Sequence, residues 1–319
     1  MRKILFILLL ILIHFYSRAQ VEVQLEPTDL KQQTIVTEPL TLYKGFFQAG
    51  LDGSYVAIDK HFTDQSKKVA FESNGWDRTW FVESSFRYGI TDKLQVGIDI
   101  PFNSDLIFTS FRAEYPGANI DSVFAGKQSG NGIGDMAISA AYQLFSSESS
   151  GSSLALFAYF DAPTGRKNPT NIIDSYNYTL PTGSGEPDLY MQAKFKQIHF
   201  PYSYSFTLAY KYHFGGSKIF QPGEAEKKFK SGNMIYLNGT YIFNLNEWIA
   251  LQNGIDWFLL GKDEIDGIKE EQSKWLLNYT PQLLFQIKRL RIGESVNIPV
   301  TGKLSGANIY YIFIAQYKI

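Results

Sequence analysis

From about residue 42 onward, hydrophobic and polar positions alternate with a period of two, the pattern of strands that have one apolar and one polar face. Near the start, Tyr43, Phe47, Ala49, Leu51 and Tyr55 share one phase, and Lys44, Gln48, Asp52 and Ser54 the other. Trp80, Val82, Phe86 and Tyr88 alternate with Thr79, Glu83, Ser85 and Arg87. After the turn at 90–93, Leu94, Val96, Ile98 and Ile100 alternate with Gln95, Gly97 and Asp99. Twelve such segments are predicted, starting near 42, 78, 94, 134, 154, 187, 203, 233, 248, 274, 290 and 307.

The connections between these segments alternate in length. Those near 90–93, 146–153, 198–202, 245–247 and 288–289 are short, and those near 58–77, 102–133, 162–186, 215–232 and 261–273 are mostly long. A sandwich has no reason for that rhythm, whereas an outer-membrane barrel has short periplasmic turns and long external loops. Closure also leaves no open sheet edge in lipid. The predicted fold is therefore all-β, an antiparallel transmembrane β-barrel of about 12 strands. Rings group at the expected strand ends, with Trp80, Phe214, Trp257 and Trp275 external and Tyr43, Tyr88, Phe195, Trp248, Phe285 and Tyr317 periplasmic.

Composition narrows the reading further. The 20 Tyr, 25 Phe and 5 Trp reach 16% of the 319 residues while charged residues make only 19%, against ~25% charged in soluble domains. Arg2 and Lys3, the apolar run Ile4–Ile13 and Ser17-Arg18-Ala19 predict a signal peptide over 1–19. Beyond it, 27 basic side chains face 31 acidic ones, so no surplus favours nucleic acid. The absence of cysteine excludes disulfides, thiolate metal sites and a cysteine nucleophile. Residues 20–41 are expected to be a periplasmic lead or a partial plug, and 42–319 the barrel.

Several phrases carry a resemblance: YGITDKLQVGIDIPF (88–102), GIGDMAISAAYQLF (132–145), YFDAPTGRKNPT (159–170), LPTGSGEPDLYMQAKF (180–195) and IPVTGKLSGANIYYIFIAQY (298–317). They resemble the outer-membrane barrel family named after the MetA pathway of phenol degradation, whose members are labelled transporters. The opening PTDLKQQTIVTEPLTLYKGFFQAGL (27–51) is similar to family versions from Bacteroidetes-like bacteria. The resemblance implies passage of small aromatic or hydrophobic compounds across the outer membrane and transfers no functional residues.

If the apolar phase meets lipid, the polar phase lines the lumen. The candidate lumen residues are Glu83, Arg87, Asp99, Asp135, Asp161, Lys194, Lys211 and His213, joined by Lys44, Asp52 and Lys196. Apolar lumen positions include Phe157, Tyr159, Tyr190, Tyr236, Ile242 and Leu284. Ion pairs that fill a narrow barrel and a polar constriction that a solute must pass both suit this set. No catalytic residue, cofactor or metal site is expected; His61, His199 and His213 fall in a loop, a turn and a strand end. The expected partners are outer-membrane lipid and lipopolysaccharide, a small-molecule solute and the barrel-assembly machinery, with no nucleic acid. The alternative function is a structural or ligand-binding barrel that acts through its external loops without transport.

Three finer expectations concern backbone. Pro101, Pro163 and Pro299 should each close an outward-going strand, because proline cannot donate to the ladder. Gly130, Gly132 and Gly134 should make a flexible approach to the fourth strand. Glu294 shares the phase of Leu290, Ile292 and Val296, so a bulge or early exit from the bilayer is expected there.

Overall fold

The computed structural model describes residues 40–70, 76–114, 121–147, 150–174 and 177–318. The predicted signal peptide and nearly all of the lead lie outside the described residues. The wall is built from β1 (Phe47–Ile58), β2 (Trp76–Gly89), β3 (Leu94–Glu114), β4 (Asp121–Ile133), β5 (Met136–Ser147), β6 (Ser152–Ala162), β7 (Asp188–His199), β8 (Tyr202–His213), β9 (Met234–Asn244), β10 (Ile249–Leu260), β11 (Lys274–Ile287), β12 (Leu290–Lys303) and β13 (Tyr310–Lys318). Each pairs antiparallel with its neighbour, and β1 closes the sheet by pairing with β2 on one side and β13 on the other. Asp52 thus sits opposite Glu83 on one flank and Ile314 on the other. β4 and β5 are two lengths of one partner of β3, so the closed barrel has twelve wall strands, as the alternation predicted.

The period-two pattern sorts side chains as expected for a barrel in lipid. Large apolar residues face outward, among them Trp80, Phe86, Ile138, Leu156, Phe206, Leu251, Ile255 and Phe313. Inward positions carry small or polar residues: Ala137, Ala141, Ala155, Ala209 and Ala250, with Ser85, Gln95, Gln143, Ser203 and Thr207, are all buried. The buried interior is therefore the lumen itself and is largely polar.

Four expectations are corrected. Residues 102–133 are not a plain loop: β3 runs on to Glu114 and pairs with β4 from Phe102↔Ile133 to Glu114↔Asp121, which projects the hairpin past the wall. Alternating apolar side chains are sparse in 121–133, so the backbone ladder rather than a greasy face defines that strand. Pro101 and Pro299 do not end their strands. Pro101 lies where the pairing passes from β5 to β4, and its carbonyl accepts from Gly134 N at 2.9 Å. Pro299 pairs with Asn278 beside a register shift. Pro163 does follow the end of its strand, at Ala162.

The glycines at 130 and 134 serve close packing rather than flexibility. A Cβ on Gly130 would meet Leu180 at 2.8 Å, and one on Gly134 would meet the Asn103 amide at 2.9 Å. Finally, β12 passes Glu294 without a break: Glu294 pairs with Leu283 and Phe313 and is exposed on the outer face. The register shift lies instead between Leu277 and Asn278, five to six residues along the strand from Leu283, that carboxylate's partner.

Candidate functional site

Strand register decides which charges meet inside the barrel. Asp161 of β6 lies directly opposite Asp188 of β7, and Asp188 opposite His213 of β8. Two carboxylates facing each other across a ladder repel, and cations resolve the conflict. Lys211 reaches both, with Nζ 2.8 Å from Asp161 Oδ2 and 2.9 Å from Asp188 Oδ2. His213 Nδ1 lies 2.6 Å from Asp188 Oδ1 and 3.4 Å from Glu186 Oε1. Glu186, in the loop before β7, is fully buried and accepts from Ser231 N at 3.1 Å. Burial alone would raise its pKa, but the hydrogen bonds from His213 and Ser231 outweigh that and hold the carboxyl below its usual range.

A second cluster forms on β2 and β3. Arg87 Nη2 is 2.5 Å from Asp99 Oδ1, and its Nη1 donates to the carbonyls of Phe86 and Ile98 at 3.1 Å each. Arg87 pairs in register with Gly97, and a Cβ there would meet Arg87 Cδ at 2.5 Å, so the glycine lets the guanidinium lie across the wall. Asp52 and Glu83 neighbour this pair in register.

Between the two clusters the lumen has an aromatic wall. Tyr159 and Tyr190 approach with centroids 5.7 Å apart, and Tyr236 and Phe258 at 4.7 Å. The Tyr236 hydroxyl donates to Asp256 Oδ1 at 2.6 Å, Asn238 Nδ2 to the same oxygen at 2.8 Å, and Thr280 to Asp256 Oδ2 at 2.8 Å. Asp256 is buried and both its oxygens are hydrogen-bonded, and tilted ring pairs beside a hydrogen-bonded carboxylate make a surface that is apolar in face and polar in edge.

Both mouths are shaped by chain outside the wall. At the periplasmic end, Leu42 N donates to Gln95 Oε1 at 2.9 Å and Thr41 Oγ1 to Gln143 Oε1 at 3.2 Å, so Thr41 and Leu42 lie buried inside the rim. At the external end, Asp135 accepts from Gly165 N at 2.9 Å, Ser184 N at 2.6 Å and Ser184 Oγ at 2.7 Å. Arg166 and Thr182 add bonds to Leu180 O and Ile133 O, so the 163–187 loop folds back against β4.

The predicted residues therefore divide into groups. Glu83, Arg87 and Asp99 come together, as do Asp161, Lys211 and His213; Lys194 lies apart in the periplasmic half, and Asp135 holds the external loop. Sequence reading missed Glu186, Asp188 and Asp256. Asp256 lies in the inward phase of its strand and was open to the parity argument. Asp188 and Glu186 follow a long loop, and nothing local marks their strand partner. Glu186, Asp188 and His213 have ligating atoms within 4.8 Å of one another. Lys211 and His213 both lie within ion-pair or hydrogen-bond distance of these carboxylates, so the cluster reads as a polar seam.

With this architecture described, comparison places the chain. The family described as "Putative MetA-pathway of phenol degradation" matches residues 78–289. The chain belongs to this family. Among solved structures, the COG4313 outer membrane channel from Pseudomonas putida F1 superposes with a TM-score of 0.66 at 12% identity, over 93% of this chain and 100% of that one. The toluene transporter TbuX of Ralstonia pickettii aligns at a TM-score of 0.44 and 11% identity, over 86% of this chain and 90% of its own, a likeness too distant to add to the fold. No curated protein sequence matches the chain. The fold is that of an outer-membrane β-barrel, as the family's resemblance implied.

Proposed function

We propose that the protein is an outer-membrane channel for passive movement of small organic solutes that carry an aromatic or apolar ring. The observation that carries this reading is the lumen itself: the Tyr159–Tyr190 and Tyr236–Phe258 ring pairs share the inward face with the Arg87–Asp99 and Lys211–Asp161 ion pairs. Rings give a solute's apolar face something to slide against, and charged and amide groups replace the water its polar edge gives up. Membership of a family named for phenol degradation supports the same solute class. On this reading residues 1–19 direct export and are removed, assembly machinery inserts the barrel, and Glu83, Arg87, Asp99, Asp161, Lys194, Lys211 and His213 line the path. The test is swelling of liposomes that hold the refolded mature chain in solutions of small neutral solutes. Influx that falls with solute size is expected; rates equal to protein-free liposomes would overturn the reading.

The loop reading keeps one observation in its favour. Among the described residues, the external loop is bonded both to Asp135, through Gly165 and Ser184, and to the β3–β4 strands, through Leu180 N to Ser129 O at 2.9 Å and Asn103 Nδ2 to Thr182 O at 2.7 Å, a platform that a recognition surface would also need.

A further inference from the structure

On the outer wall, β10, β11, β12, β13, β1 and β2 run side by side, and their register lines up two cross-strand rows. The first holds Leu251, Leu283, Glu294, Phe313, Gly53 and Val82. In the second, two residues nearer the external end, Val296 pairs with Tyr311, Tyr311 with Tyr55, and Tyr55 with Trp80. Both rows line one groove of about 840 Å³. Gly53 opens its middle, since a Cβ there would meet nothing nearer than Phe81 O at 3.9 Å. Of the lining residues only Glu294 carries a charge, and among the described residues it has no ion pair or hydrogen bond. A carboxylate beside hydrocarbon is costly, and this stretch of wall supplies no lysine or arginine to offset it. The compensating charge must then come from what lies against the wall, which is lipid: Leu251, Trp80 and Phe313 around the groove all face outward.

We propose that this groove binds a phospholipid whose headgroup ends in a primary amine, with the ammonium on Glu294 and an acyl chain laid over Gly53. Three features of the groove fit that occupant. The carboxylate takes charge-assisted hydrogen bonds from ammonium N–H groups. The rings of Tyr311, Tyr55 and Trp80, the last two with centroids 4.4 Å apart, offer faces that attract a cation and pack against methylenes. Depth selects the leaflet: Glu294 stands four residues above Leu290 at the periplasmic turn, roughly 10 Å along the membrane normal for a tilted strand. A headgroup of the periplasmic leaflet is therefore the nearer source of the amine. The inference needs only a barrel wall in lipid and is independent of what passes through the lumen.

The experiment is quenching of tryptophan fluorescence by brominated lipids in phosphatidylcholine vesicles that hold the refolded mature chain. Trp80 lines the groove, and W80F subtracts the other four tryptophans. At the Trp80 position, brominated phosphatidylethanolamine is expected to bind about threefold more tightly than brominated phosphatidylcholine, the scale of one exposed charge pair. E294Q should bring that ratio to one, and E294D should keep part of it. Should E294Q fail to fold, the unaltered protein still decides: brominated N-acetyl phosphatidylethanolamine keeps the chains, loses the ammonium, and should bind no better than phosphatidylcholine. Equal binding of the two parent lipids by the unaltered protein, or a preference that E294Q leaves intact, would overturn the proposal. So would a dimer in sedimentation that E294Q dissociates, which would give the groove to a second copy. A protein that shows the lipid preference yet admits no solute would sink the transport reading alone.

Discussion

Inside the barrel, single residues matter because removing one member of a partly buried ion pair leaves the other charge without compensation. Lys211 is the clearest case, since it touches both Asp161 and Asp188, which register forces face to face. Lys211→Met should destabilise the barrel by ~3 kcal/mol, read as a lower urea midpoint for unfolding from detergent or lipid. Adding Asp161→Asn should recover a large part of that loss, because the second change removes the repulsion that Lys211 relieves. If the double variant is no more stable than the single one, the two aspartates do not conflict. Glu294 tests the opposite face. It stands exposed among apolar neighbours on the outer wall, four residues into β12 from the periplasmic turn. Glu294→Leu should therefore stabilise the protein by about 1 kcal/mol, the modest value expected for a carboxylate away from the bilayer centre. A lower urea midpoint would mean that something other than lipid meets this position.

At the scale of elements, Asp135 gathers the two ends of the external loop. Asp135 takes three hydrogen bonds from Gly165 and Ser184, and Gly165 and Gly183 approach so closely that a Cβ on either would strike backbone of the other within 2.8 Å. Asp135→Ala should free the 163–187 loop while leaving the wall intact. Limited proteolysis should then cut within that loop several-fold faster, with no change in the urea midpoint of the barrel; an unchanged cleavage rate would contradict the anchor. The same region explains what could be read in advance. Glu83, Arg87 and Asp99 sit on strands joined by a four-residue turn, so period-two counting alone places them side by side. Asp161 is separated from Asp188 and His213 by a long loop, and the pairing that unites it with them is a register fact that no local pattern encodes. Asp135 had the right phase, but its role belongs to a loop that folds back over it. The β3–β4 hairpin was hidden because Gly126, Gly130 and Gly132 interrupt the apolar alternation that marks strands elsewhere.

Across the whole molecule, two patterns coexist. Outward alternation fixes which face meets lipid, and strand closure through β1 and β13 removes every wall edge. Those features were legible because lipid imposes them on every strand at once. The interior was less legible, because ion pairs, rings and amides are compatible with either a filled barrel or a passage. Its arrangement, with aromatic walls beside charge in the middle and cations gathered at the periplasmic end, is what makes a passage for small amphiphilic solutes the better account. Planar-bilayer recording of the refolded mature chain tests that claim most directly. The account predicts discrete conductance steps that added aromatic solutes reduce in proportion to their concentration. A bilayer that stays silent with demonstrably inserted protein, or steps that no aromatic solute alters, would contradict it.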